Sequence, residues 1–72
     1  MPITTDDLAN WFTYHAPTEV QVIQYARLRD AAHEFARIIL DTTPPSADQT
    51  TAIRKIREAV FTANAAIACG GK

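Results

Sequence analysis

Two apolar stripes and one short return predict an all-α chain, a short N-terminal helix followed by an antiparallel helical hairpin that assembles as a homo-oligomer. Tyr25, Leu28, Ala32, Phe35 and Ile39 follow one another at steps of three, four, three and four, and so form one face of an α-helix. Ile53, Ile56, Val60, Ala63 and Ile67 repeat the same steps further along. Between them Asp41–Ser46, DTTPPS, is long enough only for an antiparallel return. The chain, residues 1–72, therefore reads as a single helical-hairpin domain, with helices at about 5–12, 19–42 and 47–68, a connector at 13–18 and a turn at 43–46.

Size supplies the case for assembly. A domain near 60 residues buries only about 60% of its unfolded surface, and a small core on its own rarely contributes more than about 3–5 kcal/mol. No covalent or metal staple is in view: Cys69 is a single cysteine and no Cys/His spacing closes a zinc site. Hydrophobic residues make up 47% of the chain, with more alanine than one two-helix seam can use, so association is the remaining route to stability.

The first helix is announced by Thr4 and Thr5, then Asp6 and Asp7 at the positive end of a helix dipole, then apolar residues. Leu8, Trp11 and Phe12 lie at i, i+3 and i+4, so this face is expected to pack on the hairpin, or on another copy, with Trp11 as its anchor. Pro17 pushes Ala16 out of helical geometry, and the chain must turn through TYHAP, residues 13–17. Tyr14 and His15 ride on that connector, where binding groups are often found. The alternative is a packed Tyr14 and a solvated His15.

Thr18 and Gln21 form a capping-box pattern with Glu19 in the first turn, which starts the long helix at Glu19. Arg37 with Asp41 and Arg27 with Asp30 have ion-pair spacing, each worth about 0.2–0.5 kcal/mol. Arg29 follows Tyr25 by four and flanks the stripe, whereas Arg27 is turned further round; both read equally as a solvated face. His33 adjoins Ala32 and has neither a second metal ligand nor a nucleophile near it in sequence.

Pro44 and Pro45 end the helix, and Ser46 with Gln49 gives a second capping-box pattern that starts the third helix at Ala47. Its middle, Arg54 to Glu58, is the most basic stretch, with Arg54 and Glu58 at i,i+4. Beyond it Asn64 is a lone amide among alanines, expected to need a partner and to set register between chains. Gly70 and Gly71 close the helix.

Several function classes are disfavoured. Seven Lys+Arg against eight Asp+Glu leave a formal charge of −1, too little field to hold a DNA or RNA polymer. No apolar run is long enough to span a bilayer, and the acidic start MPITTDD is unlike a secretory signal, so a cytoplasmic protein with no membrane partner is expected. Catalytic signatures are missing too, since the two glycines sit at the C-terminus and no nucleophile stands in a recognisable motif with a His and an acid. An enzyme is not expected, nor a cofactor.

Taken in order, FTYHAP at 12–17, QYARLRDAAHEFA at 24–36, TPPSADQTTAIRKIREAV at 43–60 and TANAAIA at 62–68 resemble the small anti-CBASS proteins of tailed phages, which are cyclic-oligonucleotide sponges. The resemblance covers nearly the whole chain. It implies a homohexamer in the host cytoplasm that sequesters cyclic dinucleotide or trinucleotide immune signals, such as 3',3'-cGAMP, without cleaving them. A cyclic dinucleotide carries two bases and two phosphates, so its binder needs aromatic surface and Arg or Lys. On this resemblance Tyr14 stacks on the bases, Arg29 or Arg27 contacts phosphate, His15 joins them, and Arg57 belongs to a second pocket for trinucleotides. The competing readings are a non-catalytic helical interaction or phage accessory module, which needs no ligand, and a helix-turn-helix repressor, which the charge and the two-proline turn disfavour.

Overall fold

The computed structural model describes residues 2–72. They form three helices and, among the described residues, no strand: α1, Thr5–Trp11; α2, Glu19–Thr42; and α3, Ala47–Ala68. Helices α2 and α3 run antiparallel and pack along their length, giving a slab of 45 × 31 × 17 Å. Its short dimension is little more than one helix with its side chains, about 10–12 Å across. A layer of that kind has no middle. No described residue is fully buried, and the apolar seam is only half-buried.

Nine of the ten stripe residues do lie half-buried between the helices. Phe35 does not. Its ring is 56% exposed and lines an open apolar groove along one face of the hairpin, together with Leu28, Ile39, Ile56 and Ala63. The seam is one row of side chains deep, and a ring at its edge has a neighbour on one side only.

Each helix starts as its cap residues dictate. Thr4 Oγ1 accepts from the Asp7 N–H while the Thr4 N–H donates to Asp7 Oδ2, a complete capping box. Thr18 and Gln21 make the same reciprocal pair at 3.0 and 3.1 Å. Ser46 completes only half of one: its Oγ accepts from the Gln49 N–H, but the Gln49 side chain goes elsewhere. Gln49 Nε2 donates to the carbonyl oxygens of Thr43 at 3.0 Å and Leu40 at 3.4 Å, and so serves the carbonyl end of α2. Gln21 does the counterpart at the other end, with Nε2 donating to the Ile67 carbonyl of α3 at 3.4 Å. Thus the third residue of each long helix supplies a donor to the last turn of the other, where carbonyls lack partners within their own helix. Beyond α3, Gly70 and Gly71 take φ of +67° and +78°, and their N–H groups donate to Ile67 and Ala66. This is the Schellman closure, which glycine enters without strain.

Helix α1 meets the hairpin at the far end of α3 instead of on its face. Asn10 Nδ2 donates to the Cys69 carbonyl at 3.2 Å and Trp11 Nε1 to the Lys72 main-chain oxygen at 3.1 Å. Trp11 is thus an anchor, yet 41% exposed, while Phe12 at 83% and Leu8 remain in the open. The expected packing of all three on the hairpin is corrected in this respect: a seven-residue helix with two polar tethers spans too little of the surface to cover its own apolar face. Two expected ion pairs also fail to form. Among the described residues Arg37 and Asp41 make the one ion pair, at 3.2 Å, and Arg27–Asp30 and Arg54–Glu58 stay apart, since exposed pairs gain little over solvation.

The crossed glutamine contacts carry a prediction. Gln21→Ala and Gln49→Ala should each lower unfolding stability by about 0.5–1.5 kcal/mol in urea denaturation at fixed protein concentration, the usual net worth of a hydrogen bond. No change in either variant would mean that water serves those carbonyls equally well.

Candidate functional site

Connector residues 12–18 are pinned along their length. Thr13 Oγ1 donates to the Ala9 carbonyl, Thr18 closes the next helix start, and between them the His15 ring nitrogen Nε2 lies 2.7 Å from the Asn10 carbonyl oxygen. A carbonyl only accepts, so Nε2 carries the proton and Nδ1 alone is left for any other partner. His15 is half-buried in this role. The alternative of a packed Tyr14 and a solvated His15 is corrected on both counts: His15 is half-buried in this hydrogen bond, and Tyr14 is not packed down. Tyr14 stands 85% exposed on a segment fixed before and after it.

The arginines separate by face. Arg27 and Arg29 are two residues apart and so about 200° around the helix. Arg27 lines a groove with Gln24, Asp30 and Ile67, so a carboxylate shares its surroundings. Arg29 lies on the other side, in a groove of about 180 Å³ that also receives His33 from α2 and Arg57 and Phe61 from α3. The Arg57 guanidinium carbon sits 5.9 Å from the centre of the Phe61 ring, a cation–π distance. Neither Arg29 nor Arg57 is in an ion pair among the described residues. The fold therefore brings Arg29 and Arg57 together, and within one chain it brings Tyr14 to neither of the two arginine-lined grooves described above.

His33 and Phe61 are the members of this cluster that sequence reading did not single out for binding. Their signal was present: Arg29–His33 and Arg57–Phe61 are both i,i+4 pairs, and each pair shares one helix face. What joins the two pairs is the hairpin register, which spacing within either helix does not contain. Among the described residues no group of His, Cys, Asp or Glu is placed to hold a metal ion, and no helix is long and apolar enough to cross a membrane. Asn64 is a further outlier. Its carboxamide oxygen is shut off from solvent with no hydrogen-bond partner, the cost that the lone amide threatened.

A protein-family profile described as "Acb2/Tad1, hairpin domain" matches residues 5–68, from the start of α1 to the end of α3. No curated protein and no solved structure gives a significant match.

The pinned connector is open to test. His15→Ala should lower stability by about 1 kcal/mol and speed hydrogen exchange at the Phe12 amide, which donates to the Leu8 carbonyl at the end of α1. Unchanged exchange would show that the flanking threonines hold the segment without the imidazole.

Proposed function

The chain belongs to the Acb2/Tad1 hairpin family, the anti-CBASS sponge family, and from that premise we propose that it binds cyclic oligonucleotide immune signals and withholds them uncleaved. The observation that carries the reading is the match over residues 5–68, which takes in both the connector and the whole hairpin. The family is a sponge family and not a known enzyme family. Geometry supports the same reading from below: an exposed aromatic on a braced segment offers a stacking face, and Arg29 offers a guanidinium that no carboxylate occupies. Bases supply the π surface and phosphates the charge that these two groups complement.

The working form is a homo-oligomer, with the hexamer as its stoichiometry. One chain leaves Phe35, Ile38, Leu40 and Phe61 about half exposed or more, and an apolar groove of about 590 Å³ runs along the hairpin. A second copy covering that groove removes apolar surface from water at about 25 cal/mol per Å². Tyr14 and Arg29, which a single chain keeps apart, meet in this reading only across a boundary between copies. Asn64, whose carboxamide oxygen finds no partner within one chain, is the candidate for setting register between copies.

Two measurements follow. Light scattering coupled to size-exclusion chromatography should give a mass several times that of one chain, with six copies expected, and Asn64→Leu should keep helicity while shifting the size distribution. A clean monomer at micromolar concentration would overturn the assembly reading. In calorimetric titration against a panel of cyclic di- and trinucleotides that includes 3',3'-cGAMP, at least one ligand should bind tightly and be recovered intact after heat denaturation. Tyr14→Ala and Arg29→Ala should each weaken dinucleotide binding roughly tenfold or more, because stacking is worth about 1–3 kcal/mol per base and a charge-assisted bond about 1.5–3. Linear product would reveal an active site. If nothing in the panel binds, the open apolar groove favours the interaction-module reading instead.

A further inference from the structure

Arg29 and Arg57 belong to different helices, and the resemblance places them in different pockets. The fold sets them in one groove. Its lining contains two guanidiniums, the His33 imidazole and the Phe61 ring, over a floor of small and branched apolar residues, and no carboxylate. Glu58 lies in the adjoining depression, which Arg54, Arg57 and Phe61 also line, so Arg57 borders a carboxylate on that side. The charge in the groove is therefore one-sided, with an acidic group only beyond its rim. An ion pair satisfies neither arginine among the described residues. The Arg57 guanidinium carbon instead lies 5.9 Å from the centre of the Phe61 ring, and the N–H groups of Arg57 stay outside any such pair.

Size narrows the occupant. A groove of about 180 Å³ accepts a single base or sugar-phosphate and is too small for a whole cyclic dinucleotide. Two guanidiniums without a carboxylate suit the sugar-phosphate, while the base attached to it lies outside, over the Phe61 ring, which is 61% exposed.

We propose that Arg29, His33, Arg57 and Phe61 form one recognition groove for a single sugar-phosphate of the cyclic ligand, with its base over the exposed Phe61 ring, in which Arg57 acts with Arg29 on the same phosphate and not in a separate trinucleotide pocket. The inference rests on the sponge reading. Phe61 supports Arg57 and meets the base, His33 borders the phosphate from α2, and Glu58 disfavours a second phosphate on the α3 side.

The test is a double-mutant cycle in the full chain, read by calorimetry with 3',3'-cGAMP and cyclic tri-AMP. Arg29→Ala and Arg57→Ala should each weaken the same ligand about tenfold, and the double variant should fall well short of the product of the two losses because both arginines serve one phosphate. Phe61→Leu should weaken that ligand by about threefold or more. Circular dichroism and oligomer mass accompany each variant. Where Arg57→Ala alters either one, Arg57→Gln, which keeps the stem over Phe61, takes its place in the cycle. Fully multiplicative losses, or an Arg57 variant that spares every ligand weakened by Arg29→Ala, would overturn the shared groove while wild-type binding keeps the sponge reading intact. Failure of the wild-type protein to bind either of these ligands or any other cyclic di- or trinucleotide of the panel overturns the reading itself, and the groove assignment with it.

Discussion

Everything in this fold follows from a single layer of two helices. At 17 Å the slab is too thin to surround any side chain, so seam residues are covered from the facing helix and left open on their flanks. Core packing alone does not hold such a pair in place, and the polar ends carry more of the specification than they do in a thicker bundle. Gln21 and Gln49 stand at matching positions, three residues into their helices, and each reaches across to the terminal carbonyls of its neighbour. Sliding one helix by a residue moves both donors off their acceptors at once. The crossed pair thus fixes register at both ends of a seam whose repeating apolar steps would tolerate a shift of one heptad.

The same thinness decides what the surface offers. One face of the hairpin is an apolar groove with Phe35 along its edge, and the other carries arginines, an imidazole and a ring. A thicker domain would have spent those apolar residues on its interior. Here they stay exposed on one face, while Arg29 and Arg57 stay outside any ion pair among the described residues on the other. The apolar groove and the arginine-lined groove are two sides of one layer of helices, so changes to the hairpin register reach both.

Much of this was legible from residue order. Thr18 with Gln21 marks the start of α2, the paired prolines mark its end, and Gly70–Gly71 close α3, because each of these signals acts within a few residues. Nine of the ten stripe positions face the partner helix for the same reason. What stayed hidden depends on distance through space. The second amide bond of each glutamine, the approach of Arg57 to Arg29, and the docking of Trp11 on the Lys72 main chain all need the hairpin closed before they exist. Phe35 misleads in the opposite direction, since its spacing is right and only the depth of the seam leaves it uncovered. Expected ion pairs such as Arg54–Glu58 fail because spacing states proximity and says nothing about competition from water.

The tethers of α1 join residues about sixty apart along the chain, Asn10 to Cys69 and Trp11 to Lys72, whereas the hairpin closes through a short turn. Chain-closure entropy makes contacts of that separation late to form, and two side-chain hydrogen bonds over a half-open indole make them early to break. Helix α1 and the connector behind it are then the least stable cooperative unit, able to lift from the end of α3 while the α2–α3 pair stays folded. Tyr14 travels with that unit. A ligand held against that exposed ring would therefore also hold down the element joined to the hairpin by the fewest contacts.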